Sequence, residues 1–240
     1  RMFYSVVMTT MFFSVCFTTF ARVEKVKPTP LSAEQVEDVL IKKFQQGKYS
    51  SKGADTCLKC HDAESDSSAM GIFSNVHGRL DIDDSPFAKL QCESCHGPSG
   101  KHDKKVRKGK LREPMISFGQ HSLVDADKQN SVCMSCHDDR QRYAWVGSYH
   151  QSEQVSCATC HQVHKGEDPI LFKQSQNQLC GSCHKEQLHA LKQRSSHPLK
   201  WGQMACSDCH NPHGSFTEHE LTQTSVNETC YQCHSEKRGP

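Results

Sequence analysis

The sequence contains too few apolar side chains to form an ordinary hydrophobic core for a chain of its length. Hydrophobic residues make up 35% of the 240 positions, there are only two tryptophans, and the mean hydropathy is −0.69. A polypeptide this polar normally stays weakly folded unless something else supplies apolar surface. The sequence shows no sustained alternation of apolar and polar residues, so it does not predict a β-sheet. The formal net charge of +2 gives no sign of a nucleic-acid partner.

Cysteine, by contrast, is abundant and regularly placed. Of 15 cysteines, 14 belong to seven copies of Cys-x-x-Cys-His, numbered here as motifs 1 to 7 in chain order. This spacing is typical of c-type haem attachment, in which each thiol adds across a haem vinyl group and the histidine ligates the iron. The cysteines are Cys57, Cys60, Cys92, Cys95, Cys133, Cys136, Cys157, Cys160, Cys180, Cys183, Cys206, Cys209, Cys230 and Cys233. The motif histidines are His61, His96, His137, His161, His184, His210 and His234.

Zinc and dithiol redox chemistry are the competing explanations for Cys-x-x-Cys pairs. Zinc usually takes two such pairs per ion, and seven is an odd number. A histidine follows every pair, and a thioredoxin-like motif would not recur seven times. We therefore predict seven covalently attached haem c groups. Because their thiols form thioethers, no disulfide framework remains to be assigned.

The ratio of residues to haems predicts the fold class. About 34 residues serve each haem, too few to bury every one deeply. The haems themselves supply the missing apolar surface, so cofactor binding and folding should be coupled. We predict a multihaem cytochrome c that is mostly irregular, with short α-helices, an elongated haem array and little or no β-sheet.

The chain divides into three predicted segments. Residues 1–21 form an apolar to weakly polar run, predicted to be a signal peptide removed after about Ala21; a retained membrane anchor is the alternative. Residues 22–52 form a spacer and an amphipathic helix. Residues 53–240 form the seven-haem electron-transfer domain.

The helix in the second segment has recognisable end signals. Ser32 and Gln35 have capping-box spacing, and Gly47 can end the helix. Its apolar face is predicted to pack against the first haem, with docking of a partner protein as the alternative.

The nine remaining histidines decide whether the irons are closed or open. An iron with two protein ligands can only pass electrons, whereas an open face permits chemistry. Local context favours six as second iron ligands: His77, His102, His150, His164, His197 and His213. Three others lie in polar surroundings and are predicted to be surface residues: His121, His189 and His219. Six candidates leave one haem without a second ligand, which comes either from one of these three or from beyond Pro240.

Longer strings around the motifs carry a family resemblance. They are Lys128-Gln129-Asn130-Ser131-Val132-Cys133, Cys160-His161-Gln162-Val163-His164, Arg194-Ser195-Ser196-His197-Pro198-Leu199 and Cys206-Ser207-Asp208-Cys209-His210-Asn211-Pro212-His213-Gly214. The chain resembles the periplasmic decahaem c-type cytochromes of the MtrA/DmsE type. The resemblance implies histidine ligation on both faces of each iron, with the motif histidines proximal and the six favoured histidines distal. Since the family carries ten haems, we expect this chain to be truncated after the seventh motif.

The resemblance also implies a function and partners. Electrons would hop from haem to haem in the periplasm, from an inner-membrane quinol-oxidising cytochrome towards an outer-membrane porin sheath. Beyond the sheath, a surface cytochrome or reductase would act in metal or dimethyl sulfoxide respiration. We therefore predict an electron-transfer protein without catalysis of its own. The alternative is a multihaem reductase of a small nitrogen or sulfur oxyanion with one open-face haem.

Overall fold

A computed structural model describes residues 29–66, 68–139 and 142–239. The predicted signal peptide, residues 1–21, lies outside the described residues. Within them the α-helices are α1 Ala33–Gln46, α2 Ala54–Cys57, α3 Cys92–His96, α4 Ala126–Met134, α5 Tyr149–Ser152, α6 Cys157–Cys160, α7 Lys173–Cys180, α8 Lys185–Ala190 and α9 Val226–Tyr231. The 3₁₀ helices are Met70–Ser74, Val76–Gly78, Pro86–Ala88, Pro169–Leu171, Pro198–Trp201, Cys206–Asp208, Glu218–Glu220 and Ser235–Lys237.

Extended structure is nearly absent. The described part of the chain contains no strand, and its one β-bridge is an isolated antiparallel pairing of His210 with Leu221. Most of the backbone is irregular and is held by turns and by side-chain hydrogen bonds. The predicted fold class, short helices with little or no sheet, is confirmed.

Helix α1 is the longest helix and forms where its sequence signals predict. Ser32 and Gln35 exchange side-chain to backbone hydrogen bonds, and Gly47 ends the helix in a left-handed conformation with φ of 57°. Its buried face packs against residues that flank motifs 2 and 3. The cluster consists of Val36, Leu40, Ile116 and Val124, with Leu31, Phe118 and Val132 partly buried against it.

Beyond this cluster, large apolar side chains mostly lie at the surface of the polypeptide. Phe216 is 85% exposed, Val146 80% and Leu171 70%, and no large side chain among the described residues is fully buried. Apolar groups exposed on this scale mark a surface that contacts another apolar body. No helix in the described ranges is both long enough and apolar enough to span a lipid bilayer.

Candidate haem-binding centres

Each motif folds into a single helical turn. The backbone N–H of the motif histidine donates to the carbonyl of the first cysteine, at 2.9–3.0 Å in motifs 1 and 3 to 7, and motif 2 is helix α3 itself. Residues at positions i, i+3 and i+4 of a helical turn lie on one face. The turn therefore presents two thiols and one imidazole in the same direction, as attachment of a single haem requires.

Six motif histidines each face one histidine from outside the motifs. The ring centres are 5.8–6.4 Å apart, and no pair joins two motif histidines. The pairs are His61 with His102, His96 with His164, His137 with His77, His161 with His213, His184 with His150, and His234 with His197. An ion held between two imidazoles separates the ring centres by about 6 Å, since each metal–nitrogen bond is about 2 Å and each ring adds about 1 Å. The donor set and its spacing fit one iron per pair.

The pairs contain all six histidines that sequence context favours as second ligands. His121, His189 and His219 face no motif imidazole within the described residues. His210 of motif 6 also lacks an opposing imidazole there, although all 16 histidines lie in the described ranges. Six centres therefore have two histidines, and the centre at motif 6 has one.

The origin of the second histidine follows a rule. The second histidine of motif 3 is His77, from the segment between motifs 1 and 2. That of motif 5 is His150, from between motifs 3 and 4, and that of motif 7 is His197, from between motifs 5 and 6. Motifs 2 and 4 receive His164 and His213, which follow the histidines of motifs 4 and 6 by three residues. In these five centres the second histidine therefore comes from outside the centre's own motif.

Hydrogen bonds hold several rings in the tautomer that ligation needs. Nδ1 of His96 lies 2.7 Å from the carbonyl of Ile116, and Nδ1 of His102 lies 2.7 Å from that of Glu113. A proton on Nδ1, donated to the carbonyl, leaves the lone pair on Nε2. The opposite nitrogen of each ring is therefore available to a metal.

Burial lowers the pKa values of several of the paired histidines and so favours their neutral form. Burial, with the charge of His161 second, lowers the pKa of His213 to about 4. Burial likewise lowers the pKa values of His77, His96, His102 and His164. Neutral imidazole is the form that binds iron, so this environment favours ligation at neutral pH.

Interactions between the motif cysteines show which motifs lie next to each other. The first thiols meet in pairs through hydrogen bonds: Cys57 with Cys92, Cys133 with Cys157, and Cys180 with Cys206. In the free-thiol form such a bond raises the pKa of Cys57 and lowers that of Cys92 to about 7. Burial is the main cause that raises the pKa of Cys95, Cys160 and Cys209. The charge of a thiol from the next motif adds to it: Cys136 for Cys95, Cys183 for Cys160 and, after the charge of Asp208, Cys230 for Cys209. Consecutive motifs are therefore neighbours, and the series runs from 1 to 7 in chain order.

Asparagines that the sequence analysis did not single out tie two of these motif pairs together. The amide of Asn130 accepts from the backbone N–H of Cys157 at 2.7 Å and donates to the carbonyl of Val155 at 3.1 Å. Asn177 accepts from the Cys206 thiol at 3.7 Å and donates to the carbonyl of Leu199. Both lie three residues before the first cysteine of their own motif, a repeat that is visible in the sequence. Asn227 has the same position before motif 7 but is exposed, with no hydrogen-bond partner among the described residues.

Replacing the buried asparagine should destabilise the haem-loaded protein. Asn130→Ala leaves the partly buried N–H of Cys157 and carbonyl of Val155 without this partner, and we expect it to lower the free energy of unfolding by about 2 kcal/mol. The matched variant Asn227→Ala should change it by less than about 0.5 kcal/mol, because the side chain is exposed. Denaturant unfolding followed by visible absorption measures both. Equal effects of the two substitutions would contradict the tie between motifs 3 and 4.

No cluster among the described residues has the composition of a conventional metal site. No group of three or more histidine, cysteine, aspartate or glutamate side chains is placed to hold one ion. All 14 motif cysteines are free of disulfide bonds. The arrangement fits paired axial histidines better than a zinc tetrahedron.

Comparison with known proteins matches this geometry. A family described as "Cytochrome c-type protein NrfB-like" matches residues 92–174, and one described as "Doubled CXXCH motif" matches residues 197–239. The chain is 53% identical over 229 residues, 95% of its length, to "Multiheme cytochrome MtrA" of Shewanella baltica. The chain belongs to the multihaem c-type cytochromes. Haem c is therefore its cofactor.

Two further relatives are more distant. "Cytochrome c-type protein NrfB" of Escherichia coli O6:H1 is 32% identical over 139 residues, and that of Haemophilus influenzae is 30% identical over 146. Each alignment covers 55% of this chain. The aligned region spans 66% of the MtrA sequence and 65% and 64% of the two NrfB sequences. The chain thus spans just under two thirds of the length of the relatives it matches.

Proposed function

We propose that the chain holds seven haem c groups and relays electrons along them in the periplasm, without catalysis of its own. The observation that carries this proposal is the set of six histidine pairs at 5.8–6.4 Å. Haem c supplies an iron that alternates between the ferric and ferrous states. An iron held by two histidines would have no place for a substrate. The protein's contribution is to fix each centre and to set its electronic environment.

The residues have distinct roles in this proposal. The 14 motif cysteines anchor the haems covalently, and the seven motif histidines are the proximal ligands. His77, His102, His150, His164, His197 and His213 are the distal ligands. The proximity of consecutive motifs supports transfer in chain order, because thiols of each motif interact with thiols of its neighbours in the series.

The relationship to MtrA and the resemblance described above support the partners and the location that we propose. A signal peptide at residues 1–21 would export the chain to the periplasm. The donor would be an inner-membrane quinol-oxidising cytochrome. The acceptor would be a surface cytochrome or reductase reached through an outer-membrane porin sheath, in metal or dimethyl sulfoxide respiration.

One observation favours the second candidate function. His210 faces no imidazole among the described residues, so the haem at motif 6 is where a small ligand has access. A reductase of a small nitrogen or sulfur oxyanion would need such a face, together with donors for the developing charge. The six closed centres would then feed electrons to this one.

A redox titration tests the proposal. Purified protein should contain seven haems that withstand acid–acetone extraction and should take up seven electrons per chain. Nitrite and sulfite should not be turned over by the reduced protein. Colourless protein, or a metal that a chelator removes, would contradict haem attachment. Turnover of either oxyanion would favour the reductase.

A further inference from the structure

The histidine of motif 4 has an acidic neighbour. Nδ1 of His161 lies 2.7 Å from Oδ2 of Asp168, and the Asp168 side chain is only 16% exposed. If Nε2 faces the iron, Nδ1 carries the proton and donates it to the carboxylate. The hydrogen bond is therefore charge-assisted, and its carboxylate is largely shielded from solvent.

Other histidine rings of the centres use weaker acceptors. Their Nδ1 atoms bond to backbone carbonyls: His96 to Ile116, His102 to Glu113, His150 to Pro212, and His210 to His219. The carboxylate of Glu236 lies 3.6 Å from Nδ1 of His234, beyond hydrogen-bond reach, and both side chains are more than half exposed. Motif 4 thus has a carboxylate where these centres have a neutral carbonyl or a solvated charge.

We propose that Asp168 is a positioning residue that gives the haem at motif 4 a lower reduction potential than it would otherwise have. This inference rests on the proposed function. A carboxylate that accepts the Nδ1 proton makes the imidazole a stronger electron donor. A stronger axial donor stabilises ferric over ferrous iron, and hydrogen bonding to the ligand is an established control on haem potential.

The remaining contacts of Asp168 explain how the carboxylate is held. Its other oxygen, Oδ1, accepts from the backbone N–H of Gln162 at 3.2 Å and from that of Ile170 at 3.4 Å. Oδ1 thus holds the backbone of the loop after motif 4, and Oδ2 accepts from the His161 ring. Asparagine can keep the first role with its carbonyl oxygen but cannot supply the charge of the second. The substitution Asp168→Asn therefore separates loop structure from ligand tuning.

The position of motif 4 gives this residue a consequence for the relay. Motif 4 is the middle of the seven, with three motifs before it and three after it. If the haem at motif 4 is harder to reduce, the three haems before it and the three haems after it accept electrons first. An electron that passes from one group to the other would then have to occupy the haem at motif 4, which has the lower reduction potential, and this step would be uphill in free energy.

An EPR-monitored redox titration of the seven-haem protein tests the proposal. In Asp168→Asn, one of the low-spin ferric signals should titrate at a higher potential than in the wild type, while the others stay in place. The haem count must remain seven, measured independently by haem extraction and mass. A lower count would count against the proposed function, whereas seven haems with no moved signal would overturn the role of Asp168 alone.

Glu167→Gln is the matched control. It removes the same charge from the adjacent, exposed position. If it moves a signal as far as Asp168→Asn does, general electrostatics rather than the hydrogen bond sets the potential, and the proposal is wrong. Asp168→Ala removes the acceptor altogether, so it should move the same signal in the same direction.

Discussion

Reduced protein is expected to bind one molecule of carbon monoxide per chain, at the haem attached through Cys206 and Cys209. Carbon monoxide needs an iron with an open or weakly held sixth position. Six motif histidines face a second imidazole, whereas His210 faces none among the described residues. Its Nδ1 is fixed 2.8 Å from the carbonyl of His219, which orients Nε2 for the proximal role only. Optical titration with carbon monoxide gives the stoichiometry.

Variants calibrate this measurement. His102→Ala removes the ring opposite His61 and should raise the stoichiometry from one to two. His189→Ala removes a histidine that faces no motif imidazole and should leave it at one. Binding of no carbon monoxide by the wild type would mean that another side chain closes motif 6, and Met204 is then the nearest candidate in sequence. An unchanged stoichiometry in His102→Ala would contradict histidine ligation at motif 1.

The rule for second ligands explains why motif 6 differs. His164 and His213 close centres two motifs earlier in the chain, each from a position three residues after a motif histidine. The sequence has no motif two places after motif 6, and no histidine of this kind faces His210 among the described residues. The exposed Asn227 has the position from which Asn130 and Asn177 contact the next motif. The described residues therefore supply neither a second imidazole at motif 6 nor an asparagine contact from Asn227.

The geometry of the motifs was readable from the sequence because its determinants are local. Two thiols and an imidazole within five residues need only one helical turn, which the backbone of each motif forms. Helix α1 was equally readable, since Ser32, Gln35 and Gly47 act on neighbouring backbone groups. Packing of that helix was not readable from sequence: Phe44 lies over Gly97, next to motif 2. Contacts made across the chain depend on how the connecting segments fold back.

The pairing of ligands shows the same limit more clearly. Sequence context marked His77 and His164 as ligand candidates but could not assign them to His137 and His96. The assignment depends on Asn75, whose amide donates to the carbonyls of Val163 and Lys165 at 2.7 and 2.9 Å. The carbonyl oxygen of the same side chain accepts from the N–H of His77 at 3.0 Å. One amide thus fixes two ligand loops that are far apart in sequence.

Removal of the middle haem should interrupt the relay, whereas removal of the last one should only shorten it. The double substitution Cys157→Ser and Cys160→Ser deletes attachment at motif 4, and Cys230→Ser with Cys233→Ser deletes it at motif 7. Both variants should hold six haems. The first leaves two groups of three, because motif 3 lies beside motif 4 through the Cys133–Cys157 hydrogen bond, and motif 4 lies near motif 5, where Cys183 raises the pKa of Cys160. The second leaves six consecutive centres.

Conductance of a protein film between two electrodes distinguishes these outcomes. We expect the middle deletion to lose most of the current and the terminal deletion to keep most of it, with equal haem content as the internal standard. Visible spectra of the six remaining haems report whether each variant is folded. Equal currents would show that electrons bypass motif 4 and would contradict transfer in chain order. A much lower current in the middle deletion, at equal haem content, would show that the position of a haem in the series controls transfer more than the number of haems does.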